Sequence, residues 1–110
     1  MSADLPAAAT LSRLDLKTLR LFAAICQEGT LNGAARRAAI APSAVSKRLA
    51  ELEHALGCTL LTREPRGMRL TPAGETLLHH TRRILASAEQ IALELAEHAR
   101  GVRGLSLIHI

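Results

Sequence analysis

The C-terminal third of the sequence is one long helical pattern, and it restricts the folds available to a chain of 110 residues. Thr71 and Pro72 are typical of a helix start, and no breaker follows Gly74 until about Arg100. Such a helix is roughly 45 Å long, too long to pack wholly on a small domain. A heptad pattern with alternating steps of four and three residues runs along it through Leu77, Thr81, Ile84, Ala88, Ile91, Leu95 and His98, and predicts a dimerisation stripe. The apolar members of that stripe are Leu77, Ile84, Ala88, Ile91 and Leu95. The alternative is a helix folded back on its own domain.

The net charge of +4 comes from one central segment. Residues 36–69 carry seven basic and three acidic side chains, whereas both flanks are close to neutral. A compact basic segment is typical of a polyanion site, although a solvated basic surface has the same composition. The chain has one aromatic residue, Phe22, and cannot offer the stacking platform that single-stranded nucleic acids require. The composition therefore favours a duplex as partner.

Other functional classes lack their sequence signals. No run of about 18 uncharged apolar residues predicts a membrane-spanning helix, and no secretory segment opens the chain, so we expect a cytoplasmic protein. Cys26 and Cys58 make neither a disulfide framework nor a metal cluster, and the five histidines lack metal-ligand spacing. The chain contains no Gly-rich phosphate loop or nucleophile elbow. We therefore expect no enzyme, no metal and no cofactor.

The region before the long helix divides into three short helices. Residues 1–13 show no period and are interpreted as a flexible lead-in. Asp15 is a candidate cap for a first helix that stops at Gly29, and Thr30 can cap a second, Ala-rich helix. Pro42 fits the first turn of a third helix, which is amphipathic and stops at Gly57. Two short helices joined by a tight turn predict a helix-turn-helix.

Two segments outside these helices are less regular. Short β-prone stretches flank the turn residues of 64–67 and predict a hairpin wing that carries Arg63, Arg66 and Arg69, the alternative being an ordinary loop. The winged domain would then span residues 14–70 and the linker helix residues 71–100. Residues 101–110 break the helical pattern and are interpreted as the start of a missing effector domain or as a non-native tail.

Taken in order, several short elements of residues 14–104 resemble a LysR-type transcriptional regulator. They are Ala34-Ala35, Ala44-Val45-Ser46, Leu52-Glu53, Leu56-Gly57, Leu60, Arg63, Arg66 and Leu70-Thr71-Pro72-Ala73-Gly74. The resemblance implies a bacterial protein that is mainly α: a winged helix-turn-helix and then a linker helix that forms a homodimer. A small-molecule effector would act only in a full-length protein with its sensor domain. Ala41 departs from the pattern, because Ser or Thr commonly caps the recognition helix there, and this costs about 1 kcal/mol.

The expected activity is sequence-specific binding of double-stranded DNA. An α-helix fits the major groove, where base edges distinguish all four pairs, and its N-terminal residues point inward. We expect Ser43 and Lys47 to contact base edges and Ser46 and Arg48 to contact phosphates. The full candidate set is Arg36, Arg37, Pro42, Ser43, Ser46, Lys47, Arg48, Arg63 and Arg66. The alternative function is a truncated interaction module that forms mixed dimers with a full-length regulator.

Overall fold

The computed structural model describes the backbone of residues 4–108, and the side chains of residue 8 and residues 10–101. Within that range the chain forms five helices and one antiparallel hairpin, which confirms the mainly α class and the wing. The elements in order are α1 (Asp4–Arg13), α2 (Leu16–Glu28), α3 (Leu31–Ala38), α4 (Pro42–Leu56), β1 (Leu61–Glu64), β2 (Gly67–Leu70) and α5 (Pro72–Ile108).

Local capping explains where the central helices begin. The carboxylate of Asp15 accepts a hydrogen bond from the Thr18 N–H at 2.7 Å, and the Thr30 hydroxyl accepts one from the Gly33 N–H at 2.9 Å. Thr71 acts likewise at the start of α5, where its hydroxyl accepts from the Gly74 N–H at 3.0 Å. These three caps confirm the starts that the sequence predicted.

The core lies between α2, α3, α4 and the base of the hairpin. Its large members are almost fully excluded from water, and burial of such side chains is the main favourable term in folding; they include Leu19, Phe22, Ile25, Val45 and Leu60. Ala34 and Ala35 are also buried. Because their side chains are small, α3 approaches α2 and α4 closely and fixes the angle of the helix-turn-helix.

The hairpin packs on the end of α2. Leu61 pairs with Leu70 and Glu64 with Gly67, so that Pro65 and Arg66 form the tip. The Met68 N–H donates a hydrogen bond to the carbonyl oxygen of Gly29, at a distance of 2.9 Å. This contact ties the second strand to the end of α2 and fixes one side of the wing.

The prediction of a flexible lead-in is wrong for residues 4–13. These residues form α1, whose Thr10 hydroxyl donates a hydrogen bond to the carbonyl oxygen of Ala55 in α4 at 3.2 Å. Residues 7–9 are all alanine, the best helix former, and Pro6 falls in the first turn, where it is tolerated. A helix can form here without apolar periodicity, which is why the pattern of apolar residues did not predict it. Residues 1–3 lie outside the described part of the chain.

The predicted helix break after Arg100 is also wrong. Helix α5 continues through Gly101 to Ile108, so no strand begins in this described segment, while residues 109–110 fall outside it. This segment contains Gly101 and Gly104, each of which costs a helix about 1 kcal/mol, and a long helix can absorb that cost.

Candidate nucleic-acid interface

Helix α4 presents a polar face at its N-terminal end. Pro42, Ser43, Ser46 and Lys47 are all exposed, whereas Val45 is fully buried on the opposite face. Backbone N–H groups in the first turn of a helix attract anions, and Ala41 offers them no side-chain acceptor. The sequence prediction of a polar recognition face at this end of α4 agrees with the exposure of these residues.

Arg48 lies apart from that face, on the side of α4 nearest the start of α2. It lines a surface cleft together with Asp15 and Thr18. Hydrogen bonds from Thr18 lower the pKa of the Asp15 carboxyl below its ordinary value, and the Arg48 charge lowers it further. Arg48 is exposed, but its surroundings differ from those of Ser43 and Lys47.

Two candidate arginines lie at the end of α3, just before the turn into α4. Both Arg36 and Arg37 are exposed. Arg37 is engaged, since one of its guanidinium nitrogens lies 3.4 Å from a carboxylate oxygen of Glu28. Arg37 is therefore paired with Glu28 in the free chain, whereas Arg36 has no ion pair among the described side chains.

The turn between α3 and α4 depends on a residue that the sequence did not mark. Ala39 has φ 58 and ψ 42, a left-handed conformation that a non-glycine residue adopts at a cost of roughly 1–2 kcal/mol. The Ile40 N–H then donates to the carbonyl oxygen of Ala35 at 3.1 Å and closes the turn. Because alanine carries no signal for this conformation, only the break in the pattern indicated a turn here.

The wing exposes its basic residues. Arg63 in β1, Arg66 at the tip and Arg69 in β2 are all exposed, while Leu61 is buried and faces the core. A strand directs alternate side chains to opposite faces, but β1 is short and only its first residue is buried. The structure thus exposes the three arginines of the predicted wing, and their contacts with DNA stay a prediction.

Glu53, on α4, is a functional candidate that the sequence reasoning missed. Its Oε2 atom accepts hydrogen bonds from the Leu60 N–H at 2.8 Å and the Leu61 N–H at 3.2 Å. This carboxylate therefore joins α4 to the first strand of the wing. Glu53 enters the family resemblance through Leu52-Glu53, but nothing in its spacing indicates a hydrogen bond to residues seven and eight positions later.

The two cysteines differ in environment. Cys26 packs against the core, and burial raises the pKa of its thiol to about 11, although the Arg82 charge acts in the opposite direction. Cys58 is exposed.

Among the residues whose side chains are described, no group of three potential metal ligands lies together. No helix in this part of the chain is long and apolar enough to cross a membrane.

Only part of the predicted dimerisation stripe is exposed to solvent. Leu77 packs against the core and Ala88 is half-buried. Ile84 is 42% exposed, Ile91 57% and Leu95 62%, and every residue from 89 to 101 is exposed. The apolar surface that remains free for a partner therefore runs from Ile84 towards the far end of α5.

Comparison with known proteins connects this geometry to a family. Residues 16–75, more than half of the chain, match the family model described as bacterial regulatory helix-turn-helix protein, LysR family. The chain belongs to the LysR family. One relative, the probable HTH-type transcriptional regulator LtrA of Klebsiella pneumoniae, is 43% identical over 75 residues. That alignment covers 68% of this chain but 24% of the relative, so the chain spans about a quarter of its length.

Solved structures of LysR-family DNA-binding domains have the same fold. The crystal structure of the CbnR domain in complex with DNA superposes with a TM-score of 0.71 at 31% identity, covering 78% of this chain and 99% of that one. The complex of the BenM domain with catB site 1 DNA gives a TM-score of 0.75 at 30% identity, covering 80% of this chain and 95% of that one. The residues matched by the family model, 16–75, include the α4 face and the wing arginines described above.

Proposed function

We propose that this chain is the DNA-reading and dimerising part of a bacterial transcriptional regulator that binds specific double-stranded sequences. The main support is the fold match to two DNA-binding domains solved with DNA, together with a family match over residues 16–75, which carry the exposed face of α4. A protein of this kind would act in the cytoplasm and perform no catalysis. Its small-molecule effector would bind a sensor domain of the full-length protein.

The proposed binding mode divides the contacts between base edges and phosphates. Ser43 and Lys47 would read base edges, because the first turns of α4 enter the major groove. Ser46 and Arg36 would bind phosphates, as would Arg37 after it leaves Glu28. Arg48 would reach only a flanking phosphate, given its place beside Asp15. Arg63 and Arg66 on the wing would bind phosphates or an adjacent minor groove.

The proposed active form is a homodimer through α5. One half-site is too short to specify an operator, so two recognition helices related by a two-fold axis would read a pseudo-palindrome. The stripe of Ile84, Ala88, Ile91 and Leu95 would supply the contact, with Leu77 at its edge. The exposure of Ile84, Ile91 and Leu95 on the single chain supports this arrangement, since monomeric soluble proteins rarely leave a large contiguous apolar patch in water.

The DNA-binding proposal is tested by titrating a duplex with the variants Lys47→Ala and Arg66→Ala. A duplex is first selected from random sequences by the unaltered chain. We expect Lys47→Ala to weaken binding about 10- to 100-fold and to relax base preference, and Arg66→Ala to weaken binding to all sequences while lowering the salt dependence. Arg100→Ala is the control, because it removes the same charge from the distal, exposed part of α5. Unchanged affinity in both test variants would overturn the binding mode.

The same selection separates the proposal from the interaction-module alternative. An enriched pseudo-palindrome supports a DNA reader. A chain that retains no duplex, yet pairs with a full-length regulator of the same family, supports the alternative.

A further inference from the structure

We propose that Glu53 is a positioning residue that sets the wing at a fixed angle to the recognition helix. The inference rests on the proposed DNA-binding function, because the angle matters only if α4 and the wing contact one duplex. Glu53 itself lies two turns C-terminal to Ser46, beyond the exposed residues at the start of α4, so it acts through the wing.

Glu53 organises the whole connection between α4 and β1. Its main-chain carbonyl accepts hydrogen bonds from the Gly57 N–H at 2.8 Å and the Cys58 N–H at 3.2 Å. Its carboxylate accepts from the Leu60 and Leu61 N–H groups. One residue therefore receives four of the backbone donors between the end of the helix and the start of the wing.

The carboxylate is well suited to its two acceptor roles. Leu60 and Leu61 are 1% and 6% exposed, so water has little access to this segment. A buried N–H that loses its partner is costly, and an ionised acceptor forms a stronger hydrogen bond than a neutral one. Replacement of Glu53 by a residue without an acceptor leaves two N–H groups to be satisfied by movement of the segment.

Movement of this segment would carry the wing with it. The Leu60 carbonyl oxygen accepts from the Thr71 N–H at 3.0 Å, which closes the base of the hairpin. The hairpin is therefore a unit, attached to α4 through Glu53 and to the end of α2 through Met68 and Gly29. Ser46 lies seven residues before Glu53, two turns away on the same face of α4, so the carboxylate holds the wing along the Ser46 side of the helix.

The consequence is a preorganised pair of contacts. If the angle is fixed, α4 and the wing reach the same duplex without a further ordering cost. If the angle is free, the wing contacts are made only part of the time while the base contacts of α4 persist. Loss of Glu53 should thus resemble loss of the wing arginines rather than loss of Lys47.

The test is a double-variant cycle between Glu53→Ala and Arg66→Ala in duplex binding. We expect Glu53→Ala to weaken binding about tenfold, to lower the salt dependence, and to keep the base preference of the unaltered chain. We also expect Arg66→Ala to cost much less in the Glu53→Ala background, since the two changes remove the same contact. Glu51→Ala is the matched control: it removes the same charge from an exposed position of α4 and should leave the Arg66 effect intact.

Glu53→Gln provides the conservative variant. Its amide oxygen still accepts a hydrogen bond, so we expect a duplex affinity between that of the unaltered chain and that of Glu53→Ala. Amide hydrogen exchange at Leu60 and Leu61 should be faster than in the unaltered chain. If Glu53→Ala does not fold, the cycle is run with Glu53→Gln. Additive effects of the Glu53 and Arg66 changes would overturn this inference while leaving the proposed function standing. Failure of the unaltered chain to bind any duplex would overturn the proposed function itself.

Discussion

At the scale of single residues, the start of α4 lacks a side-chain cap, which one substitution can supply. Ala41 has φ −69 and ψ 145, the extended geometry of an N-cap, but it provides no side-chain hydrogen bond. We expect Ala41→Ser to raise the free energy of unfolding by about 1 kcal/mol, because the added hydroxyl accepts from a free N–H of the first turn. Denaturant unfolding of the DNA-free protein measures the change.

The control for that change is Ala50→Ser, at an exposed position in the interior of the same helix. Serine has a lower helix propensity than alanine in host–guest scales. We therefore expect the free energy of unfolding of this variant to fall by about a few tenths of a kcal/mol. Equal shifts in the two variants would contradict the capping argument.

A second residue-scale feature is the buried hydroxyl of Thr81. This side chain in α5 is 0% exposed, and its Oγ1 has no hydrogen-bond partner among the described residues. A buried hydroxyl without a partner costs about 1–3 kcal/mol.

We expect Thr81→Val to stabilise the fold by about 1 kcal/mol, since valine keeps the shape and removes the unsatisfied group. Thermal unfolding provides the measurement. Thr81→Ala, which removes the hydroxyl but also leaves a small void, should gain less or lose stability. If Thr81→Val were clearly destabilising, the hydroxyl must have a partner in solution.

At the scale of elements, the packing of the wing against the end of α2 depends on a glycine. Gly67 has φ 131, and a Cβ atom built there lies 2.5 Å from the carbonyl oxygen of Gly29. The backbone conformation and the close approach both exclude a side chain. The wing can therefore reach the end of α2 only because residue 67 is glycine.

We expect Gly67→Ala to lower the free energy of unfolding by more than the roughly 1–2 kcal/mol that left-handed strain alone costs. Gly57→Ala is the matched control, since Gly57 has φ 73 but nothing within 4 Å of its Cβ position. Chemical denaturation of both variants gives the comparison. Losses of the same size would show that strain, rather than contact with α2, accounts for the glycine.

At the scale of the whole molecule, the shape is that of a small domain with a projecting helix. The principal extents are 61 × 41 × 23 Å, and the exposed half of α5 accounts for the elongation. Ile91 and Leu95 lie on one side of this half, and Leu93 lies on another side, although its exposure of 62% equals that of Leu95. The exposed side chains thus provide both a candidate interface and a control position.

We expect sedimentation at tens of micromolar to show a dimer, and Ile91→Asp or Leu95→Asp to shift it to monomer. The reason is that a charge in an apolar helix–helix interface is costly to bury. Leu93→Asp should stay dimeric, because that side chain is off the stripe. All three sites lie beyond the packed domain, so circular dichroism should show the winged fold intact. A monomeric unaltered chain would contradict the dimer proposal.

The sequence by itself determined the wing and the starts of α2, α3 and α5, and it supplied the candidate base-reading residues as a prediction. These follow from local chemistry: Asp15, Thr30 and Thr71 cap helices with their own side chains, and apolar spacing defines the face that packs. The same local logic failed at residues 4–13, where the helix has no period, and after Arg100, where a glycine was interpreted as a break.

Only the tertiary structure decided how these elements act together. It turned Arg48 towards Asp15, paired Arg37 with Glu28, and buried Thr81 of the predicted heptad pattern in the domain. It also brought the Glu53 carboxylate to the first residues of the wing. Such contacts depend on the directions in which packed helices and strands meet, which are set by the core as a whole. No spacing within a single segment encodes them.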